Sequence, residues 1–289
     1  MPYVEFAPDP SLAHLIKCVF AFDAQADEKE GRPECVVPDG NPELVVHFGH
    51  PFSEFDAGEG KRRQPRVFIM GQMTQALALD PSQGAPALIG VRFRPWGLRA
   101  LLGAAMTELT DKRLNVADVA PRPSEELADE IASATTLAGR ARVLQTFVAR
   151  CAEANERHQD ALPAEVTKRV INANGNVRLA ALADDCELSL RQLERRFMAQ
   201  VGTTPREYAN VVRFRSVFDK INSRTESNLA TLANDAGYFD QSHMNRDFKR
   251  FLGLSPSAYV SQLRGILGTP SGQEDDASCR VVTRRAPTA

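Results

Sequence analysis

The sequence lacks the features of membrane-spanning, secreted and zinc-stabilised proteins. Its 289 residues contain no uninterrupted apolar run near the roughly 18 residues that a bilayer span requires. The N-terminus has neither the basic stretch nor the apolar core of a secretion signal. The five cysteines are odd in number and form no Cys-x-x-Cys pair, which disfavours a disulfide framework or a structural zinc site. We therefore expect a cytoplasmic chain with no membrane partner, whose thiols are reduced.

Motifs of common enzyme classes are also missing. The chain has no Gly-x-Ser-x-Gly elbow, no Walker-type phosphate loop and no Gly-x-Gly-x-x-Gly turn. His47 and His50 could suggest a metal site, but their spacing does not aim both imidazoles at one face of a strand. Cys18 and Cys35 are interpreted as buried structural thiols, with a metal-sensing or alkyl-accepting pair as the alternative. The sequence predicts no catalytic residues, no metal and no cofactor.

Charge is unevenly distributed, although the whole chain carries a net charge of only −2. Residues 163–265 contain 15 Lys and Arg against 11 Asp and Glu, a net of +4, whereas the rest of the chain has a net of −6. With 43% hydrophobic and 25% charged residues, the composition is that of a folded protein of about two domains. The basic segment is the one that we expect to meet a polyanion.

The first 110 residues are predicted to form a β-rich domain. Val91 and Phe93 alternate with Arg92 and Arg94, as in a strand of a sheet that is buried on one face. The polar segment 55–65 is expected to form a loop. Turn residues precede the first of three apolar runs of strand length, which are 43–48, 66–71 and 87–94.

Helical periodicity begins after Pro95. Three helices are predicted, at 96–102, 124–134 and 137–156, and the segment 111–160 is interpreted as a helical linker and dimerisation segment. The last of these helices carries an apolar stripe, which packs against its own sheet or mediates self-association. The stripe consists of Val143, Leu144, Phe147, Val148 and Cys151, and the predicted dimer contacts are Leu144, Phe147 and Cys151.

The strongest signal is an internal repeat. Residues 202–208, Gly-Thr-Thr-Pro-Arg-Glu-Tyr, recur 51 positions later as Gly-Leu-Ser-Pro-Ser-Ala-Tyr in residues 253–259. Upstream, residues 179–185 match residues 229–235 at an offset of 50, so the intervening turn differs by one residue between the copies. Each copy has the pattern of a helix, a tight turn and a second helix, which indicates a duplicated helix-turn-helix unit. Ser189 and Asp240 are predicted to cap the second helices, Gly237 to allow the turn of the second copy, and Gly202 and Gly253 to end the second helices.

The second helix of each unit has an apolar and a polar face. The residues expected in the core are Leu190, Leu193, Phe197 and Val201 in the first unit and Met244, Phe248 and Phe251 in the second. The polar faces carry Arg, Gln, Asn and Ser, whose donors and acceptors match base edges in the major groove. The predicted base contacts are Arg191, Gln192, Arg195, Gln241, Ser242, Asn245 and Arg246, and the predicted phosphate contacts are Arg206, Arg213, Lys220, Arg224, Lys249 and Arg250.

A single helix is predicted to join the two units. It begins at Pro205 and runs to about Ser223, a length on the order of 25 Å at 1.5 Å per residue. A helix of this length could hold two reading helices about one DNA turn, roughly 34 Å, apart on the same face. Residues 161–265 are thus predicted to form a double helix-turn-helix domain, followed by a disordered tail over 266–289.

Over residues 163–263 the sequence resembles the AraC/XylS family of bacterial transcriptional regulators. The resemblance lies in the paired units, in the Gly-x-[Ser/Thr]-Pro-x-x-Tyr ending of each, and in Ala-x-x-x-Gly-Tyr-Phe-Asp-x-Ser at residues 233–242. It implies that the predicted base-contacting residues occupy the base-reading positions. One departure is Arg191, where many relatives carry a bulky aromatic residue, so the preferred DNA sequence does not transfer.

The N-terminal half resembles the sensor half of a subgroup of these regulators, at residues 37–40, 43–45, 71–72 and 90–95. This resemblance implies a cupin-like β-barrel with an effector pocket, followed by dimerisation helices. The expected fold is α+β and multidomain: a β-rich cupin-like barrel, a helical linker and an all-α domain of two helix-turn-helix units joined by a central helix.

The predicted function is that of a sequence-specific DNA-binding transcriptional regulator, an activator or a repressor, rather than an enzyme. Its expected partners are double-stranded DNA, a small-molecule effector, RNA polymerase and a second copy of the chain. Two alternatives stay open. One is a Cys-dependent regulator that responds to alkylating agents or metals, and the other is a regulator whose N-terminal domain only dimerises.

Overall fold

The N-terminal half is built from two β-sheets. In this computed structural model the described residues are 3–23, 34–56, 60–81, 84–155, 160–223, 228–267 and 280–281. The strands are β1 Tyr3–Phe6, β2 Ile16–Asp23, β3 Glu34–Val36, β4 Glu43–His47, β5 Ser53–Asp56, β6 Gly60–Arg63, β7 Val67–Met70, β8 Leu77–Asp80, β9 Ala87–Phe93, β10 Arg113–Asn115 and β11 Arg280–Val281. Their order is β1-β2-β9-β4-β7-β10 in the first sheet and β11-β3-β8-β5-β6 in the second. The predicted β-rich domain is confirmed, and its cupin-like character stays a prediction.

Helices cover the first sheet and build the C-terminal half. They are α1 Leu98–Leu102, α2 Val116–Val119, α3 Pro121–Ser133, α4 Leu137–Ala154, α5 Leu162–Asn172, α6 Leu179–Asp185, α7 Leu190–Val201, α8 Pro205–Asn222, α9 Leu229–Asp235, α10 Gln241–Leu252 and α11 Pro256–Leu267. The helix expected from residue 124 begins three residues earlier, because Pro121 occupies the first helical position. Among the described helices, none combines the length and the apolar character needed to cross a membrane.

Both faces of the first sheet are buried. In β4, Leu44 and Val46 belong to the core that the sheet shares with α1, α3 and α4. Between them, Val45 joins Phe52 and Leu79 in a second core between the two sheets. Alternate side chains of a strand point to opposite faces, so a strand that is covered on both sides reads as a continuous apolar run.

Arg92 of β9 is buried, contrary to the one-sided burial that the sequence predicts for this strand. Its side chain bonds Glu43 Oε1 through Nη2 at 2.9 Å and through Nε at 3.0 Å, and Nε lies 3.4 Å from Asp39 Oδ2. Burial alone would raise the pKa of Asp39, but the positive charges of Arg92, Lys17 and Arg215 outweigh it and lower that pKa. The second sheet covers this face, so the guanidinium is neutralised by carboxylates rather than by water.

Two polar segments are more ordered than expected. Within 55–65, predicted as a loop, β5 and β6 form an antiparallel hairpin in which Ser53 pairs with Arg63. In the tail predicted to be disordered, residues up to 267 extend α11, and Arg280 pairs with Glu34 in a parallel β11–β3 ladder. These short strands are paired through backbone hydrogen bonds, which leave no apolar pattern in the sequence. The rest of the tail, 268–279 and 282–289, lies outside the described residues.

The cysteines do not share one chemical state. Cys35 is disulfide-bonded, so the expectation of reduced thiols is wrong at this position. Cys18, Cys151 and Cys186 are free. Cys18 lies in β2, and burial raises the pKa of its thiol to about 11.

The apolar stripe of α4 packs against its own chain. Leu144 and Val148 are completely buried in the core under the first sheet, and Val143, Phe147 and Cys151 are half-buried against it. The predicted role of Leu144 as a dimer contact is therefore wrong, because its side chain is 0% exposed. Dimerisation through other residues stays a prediction.

The C-terminal half contains two small cores that share the central helix α8. Tyr208 and Ala209 of α8 pack into the core of the first unit, with Phe197. Further along the same helix, Phe214 and Phe218 pack into an aromatic core of the second unit. The predicted central helix is confirmed, and its two ends belong to different cores, so it fixes the units relative to each other.

Candidate nucleic-acid interface

The first unit presents α7 on a four-residue turn that ends in a helix cap. The hydroxyl of Ser189 accepts the N–H of Gln192 at 3.3 Å, and Gln192 Oε1 accepts the N–H of Ser189 at 2.9 Å. This reciprocal capping box confirms the predicted cap. It also engages the carbonyl oxygen of Gln192, a predicted base contact, and leaves its amide N–H groups to face outward.

The second unit presents α10 in the same way, on a turn of five residues. Gly237 has a φ of 75°, a left-handed conformation that suits glycine, and Asp240 Oδ1 accepts the N–H of His243 at 2.7 Å. Gly202 and Gly253 end α7 and α10 with φ values of 93° and 82°. The turn glycine, the Asp240 cap and both helix-ending glycines were predicted, and the structure confirms them.

The inner faces of the two reading helices are those predicted, with one exception. Leu193, Phe197, Met244 and Phe248 are each 0% exposed. Leu190, which was expected in the core, is 38% exposed. It is the first residue of α7, at the N-terminal end of the helix, and its side chain is not enclosed by the core.

The outer faces carry the predicted base contacts. Six of them are exposed and Asn245 is half-buried; the exposed ones are Arg191, Gln192, Arg195, Gln241, Ser242 and Arg246. Arg191, Arg195 and Arg246 make no hydrogen bond or ion pair with another residue of the described ranges. Their guanidinium donors therefore point to solvent, ready for an external acceptor.

The predicted phosphate contacts differ in their exposure and in what they already contact. Arg206 and Lys249 are exposed and make no ion pair within the part of the chain that is described. Lys220 is half-buried and already has an interaction partner. Arg224 lies outside the described residues.

Arg213 and Arg250 also make contacts inside the domain, and their phosphate contacts stay predictions. Arg250 bonds Glu207 of α8 with both Nη atoms, one of them at 3.1 Å, and so ties α10 to the central helix. Arg213 donates from Nη2 to the carbonyl of Gly175 at 2.9 Å and lies 5.3 Å from the ring centre of Tyr238. Arg213 thus joins the loop after α5 to the turn of the second unit.

An acidic side chain is buried under α10. Asp247 is 8% exposed, and burial raises the pKa of its carboxyl despite the opposing charges of His243, Arg213 and Arg250. Tyr238 is buried beside it, and its ring meets His243 edge-on at 5.1 Å. These groups hold the inner face of α10 and are not available to DNA.

The first unit is seated on the N-terminal half. Thr110 Oγ1 donates to the carbonyl of Gly202 at 2.7 Å, and Arg99 Nη1 donates to the carbonyl of Ala199 at 3.0 Å. Both acceptors lie at the C-terminal end of α7. These contacts give the N-terminal half a direct connection to the first reading helix.

A groove of about 570 Å³ lies at this junction. Its N-terminal wall includes Arg94, Trp96 and Arg99, and its C-terminal wall includes Lys168 and Gln200. Three of these five side chains are cationic. Asp160 also lines the groove, and its carboxylate accepts from Arg196 Nε at 2.7 Å. The groove has the size of a small-molecule site.

Metal chemistry has little basis in the described residues. His47 is buried with Nε2 at 3.2 Å from Gln64 Oε1, whereas His50 is exposed. Within these ranges, no group of three or more His, Cys, Asp or Glu residues is arranged to hold a metal ion.

One exposed residue was quoted from the sequence only as part of the motif at residues 233–242 and was given no role. Phe239, in the turn before α10, is 92% exposed. The signal that could have found it is the change of the repeat offset from 50 to 51, which marks an extra residue in that turn.

Two family models match the chain, one in each half. Residues 4–115 match a family described as a domain of unknown function, DUF6597, and residues 182–262 match a family described as a helix-turn-helix domain. No curated protein matches the chain in sequence.

Several solved structures are similar over most of the chain. ToxT from Vibrio cholerae is 13% identical with a TM-score of 0.47, over 84% of this chain and 98% of ToxT. An unsaturated fatty acid-bound form of ToxT is 16% identical with a TM-score of 0.46, over 86% and 95%.

The C-terminal part has a further similarity. The DNA-binding domain of AdpA, a global transcriptional factor, in complex with a target DNA, is 24% identical over 37% of this chain and 96% of that domain, with a TM-score of 0.35. Together with the paired units and their motifs, the family match identifies residues 182–262 as a helix-turn-helix domain of the AraC/XylS type, the class of domain with which transcription regulators bind DNA.

Proposed function

We propose that each copy of the chain reads two adjacent segments of the major groove, one with α7 and one with α10. The observation that carries this proposal is the pair of matched helices whose outer faces hold exposed Arg, Gln and Ser side chains. Arg191, Gln192 and Arg195 serve the first segment, and Gln241, Ser242, Asn245 and Arg246 serve the second. Arg206 and Lys249 fit phosphate contacts that position the domain.

The test is selection of a preferred duplex from a random pool by the full chain, followed by affinity measurements. Arg195→Ala and Arg246→Ala are each expected to weaken binding to the selected duplex by about 1–3 kcal/mol and to relax the base preference at one position. Arg122→Ala is the matched control, because Arg122 is an exposed arginine of the N-terminal half that pairs only with Glu126 four residues on, among the described residues. Equal losses on selected and random duplexes would contradict base reading.

The second part of the proposal is control by a small anionic effector in the groove between the halves. The cationic side chains of Arg94, Arg99 and Lys168, together with the ring of Trp96, suit a carboxylate that carries an apolar portion. Because Arg99 also holds the carbonyl of Ala199 in α7, a ligand that draws Arg99 away would alter the seat of the first reading helix.

A panel of mono- and dicarboxylates tests this part through the melting temperature of the full chain. We expect at least one of them to raise the melting temperature and to change the affinity for the selected duplex, and Lys168→Ala to weaken both effects. If Lys168→Ala leaves a ligand's effect intact, the ligand acts elsewhere. If no carboxylate shifts the melting temperature, the effector proposal fails and the DNA proposal stands.

A Cys-dependent regulator finds less support. A thiol accepts an alkyl group as the thiolate, whereas burial raises the pKa of Cys18 to about 11 and Cys35 is disulfide-bonded.

We infer the division into a sensor domain at 1–110, a linker and dimerisation segment at 111–160, a reading domain at 161–265 and a tail at 266–289. A homodimer and contact with RNA polymerase complete the proposal.

A further inference from the structure

The extra residue of the second turn can be located from the backbone. In the first turn Glu187 has a φ of 54°, and Leu188 donates its N–H to the carbonyl five residues back at 3.0 Å. In the second turn Gly237 has a φ of 75°, and Tyr238 makes the same bond at 2.9 Å. Both pairs of residues are 50 positions apart, so the two turns coincide up to this point.

The turns diverge immediately afterwards. The capping residues Ser189 and Asp240 are 51 positions apart, and the helices that they begin are both 12 residues long. Phe239 is therefore the inserted residue, with no counterpart in the first unit. The longer turn changes neither helix.

The exposure of Phe239 has no explanation inside the domain. A residue in this position often packs on the fourth residue of the helix that follows, here Met244. Met244 is completely buried in the core, whereas Phe239 is 92% exposed. Its neighbours are fixed, since Tyr238 is buried and Asp240 caps α10, so the phenyl ring is presented outward from an anchored backbone.

We propose that Phe239 contacts the 5-methyl group of a thymine in the segment that α10 reads. The ring stands at the N-terminal end of the reading helix, beside the exposed Gln241 and Ser242, and Arg246 and Lys249 supply positive charge further along the same helix. Thymine is the base that offers an apolar group in the major groove. This inference rests on the proposed reading of DNA by α10, and it makes the second unit selective for thymine through a residue that has no counterpart in the first unit.

The test replaces each thymine of the selected duplex with uracil, one at a time, and measures binding of the full chain. Uracil lacks only the methyl group. We expect one replacement in the second segment to weaken wild-type binding about fourfold, the change that corresponds to roughly 0.8 kcal/mol for one buried methyl group. Phe239→Ala is expected to bind the thymine duplex more weakly and to be insensitive to that replacement, and Phe239→Leu to keep part of the effect.

Phe55→Ala is the matched control, since Phe55 is a half-exposed phenylalanine of the N-terminal half, and we expect it to behave as the wild type. The inference is overturned if Phe239→Ala retains the wild-type response at every thymine. It is also overturned if Phe239→Ala binds normally but fails to support transcription by purified RNA polymerase, which would make the ring a protein contact. If the wild type enriches no duplex, the proposed function itself fails.

Discussion

The two helix-turn-helix units share one backbone plan and differ in almost every exposed side chain. Both have a seven-residue first helix, a left-handed turn residue, a polar cap and a twelve-residue reading helix that ends at a left-handed glycine. The first unit presents Arg191 and Arg195, whereas the second presents Gln241 and Ser242 together with Arg246. The geometry that orients the helices is the same in both copies, whereas among the predicted base contacts only Arg195 and Arg246 are the same residue at equivalent positions.

The two units are expected to differ most in their response to substitution of the left-handed turn residue. A side chain on Gly237 would lie 2.6 Å from Asn176 and would hold an unfavourable φ, so Gly237→Ala is expected to lower the free energy of unfolding by about 1–3 kcal/mol. Glu187→Gly removes the backbone strain of the left-handed conformation in the first unit but raises the conformational entropy of the unfolded chain. Its effect on the free energy of unfolding is therefore expected to stay below about 1 kcal/mol.

Hydrogen exchange of the full chain measures the two effects locally. Gly237→Ala should accelerate exchange in α9 and α10 while leaving α6 and α7 close to their wild-type rates. If Gly237→Ala and Glu187→Gly change the free energy of unfolding to the same extent, the expected difference in backbone strain between the two turns is wrong.

Loss of a helix cap is expected to lower the free energy of unfolding by less than Gly237→Ala does. Asp240→Ala removes a single capping bond and is expected to cost about 1 kcal/mol. Ser189→Ala is expected to cost a similar amount but also to free Gln192 Oε1 from its capping box, so it should alter base preference in the first segment. Asp240→Ser, which keeps a cap, is the control. Urea unfolding and selection on random duplexes together check both outcomes, and an unchanged base preference for Ser189→Ala would contradict the link.

Much of the reading domain could be predicted from the sequence, because its signals are local. The caps at Ser189 and Asp240 and the glycines that end α7 and α10 follow from the repeat and from helix chemistry. The inward positions of Phe197 and Phe248 follow from the helical period. The exposed faces were predicted as their complement, and their contact with DNA stays a prediction.

The features that could not be predicted from the sequence depend on packing between residues that are distant in the chain. Arg92 alternates with apolar residues like an exposed side chain, but the second sheet covers it and Glu43 pairs with it. Arg213 is a predicted phosphate contact, and the sequence gives no sign that its side chain also bonds Gly175 and lies against Tyr238. In both cases the charged side chain is enclosed by elements that are distant in the chain, which no local pattern reveals.

We propose that one chain places α7 and α10 in neighbouring major-groove segments. Protection of guanine N7 from methylation on the selected duplex tests it most directly, because this atom faces the major groove. We predict two protected segments about one helical turn apart, of which Arg195→Ala removes one and Arg246→Ala removes the other. A single protected segment, or loss of the same segment in both variants, would contradict the claim.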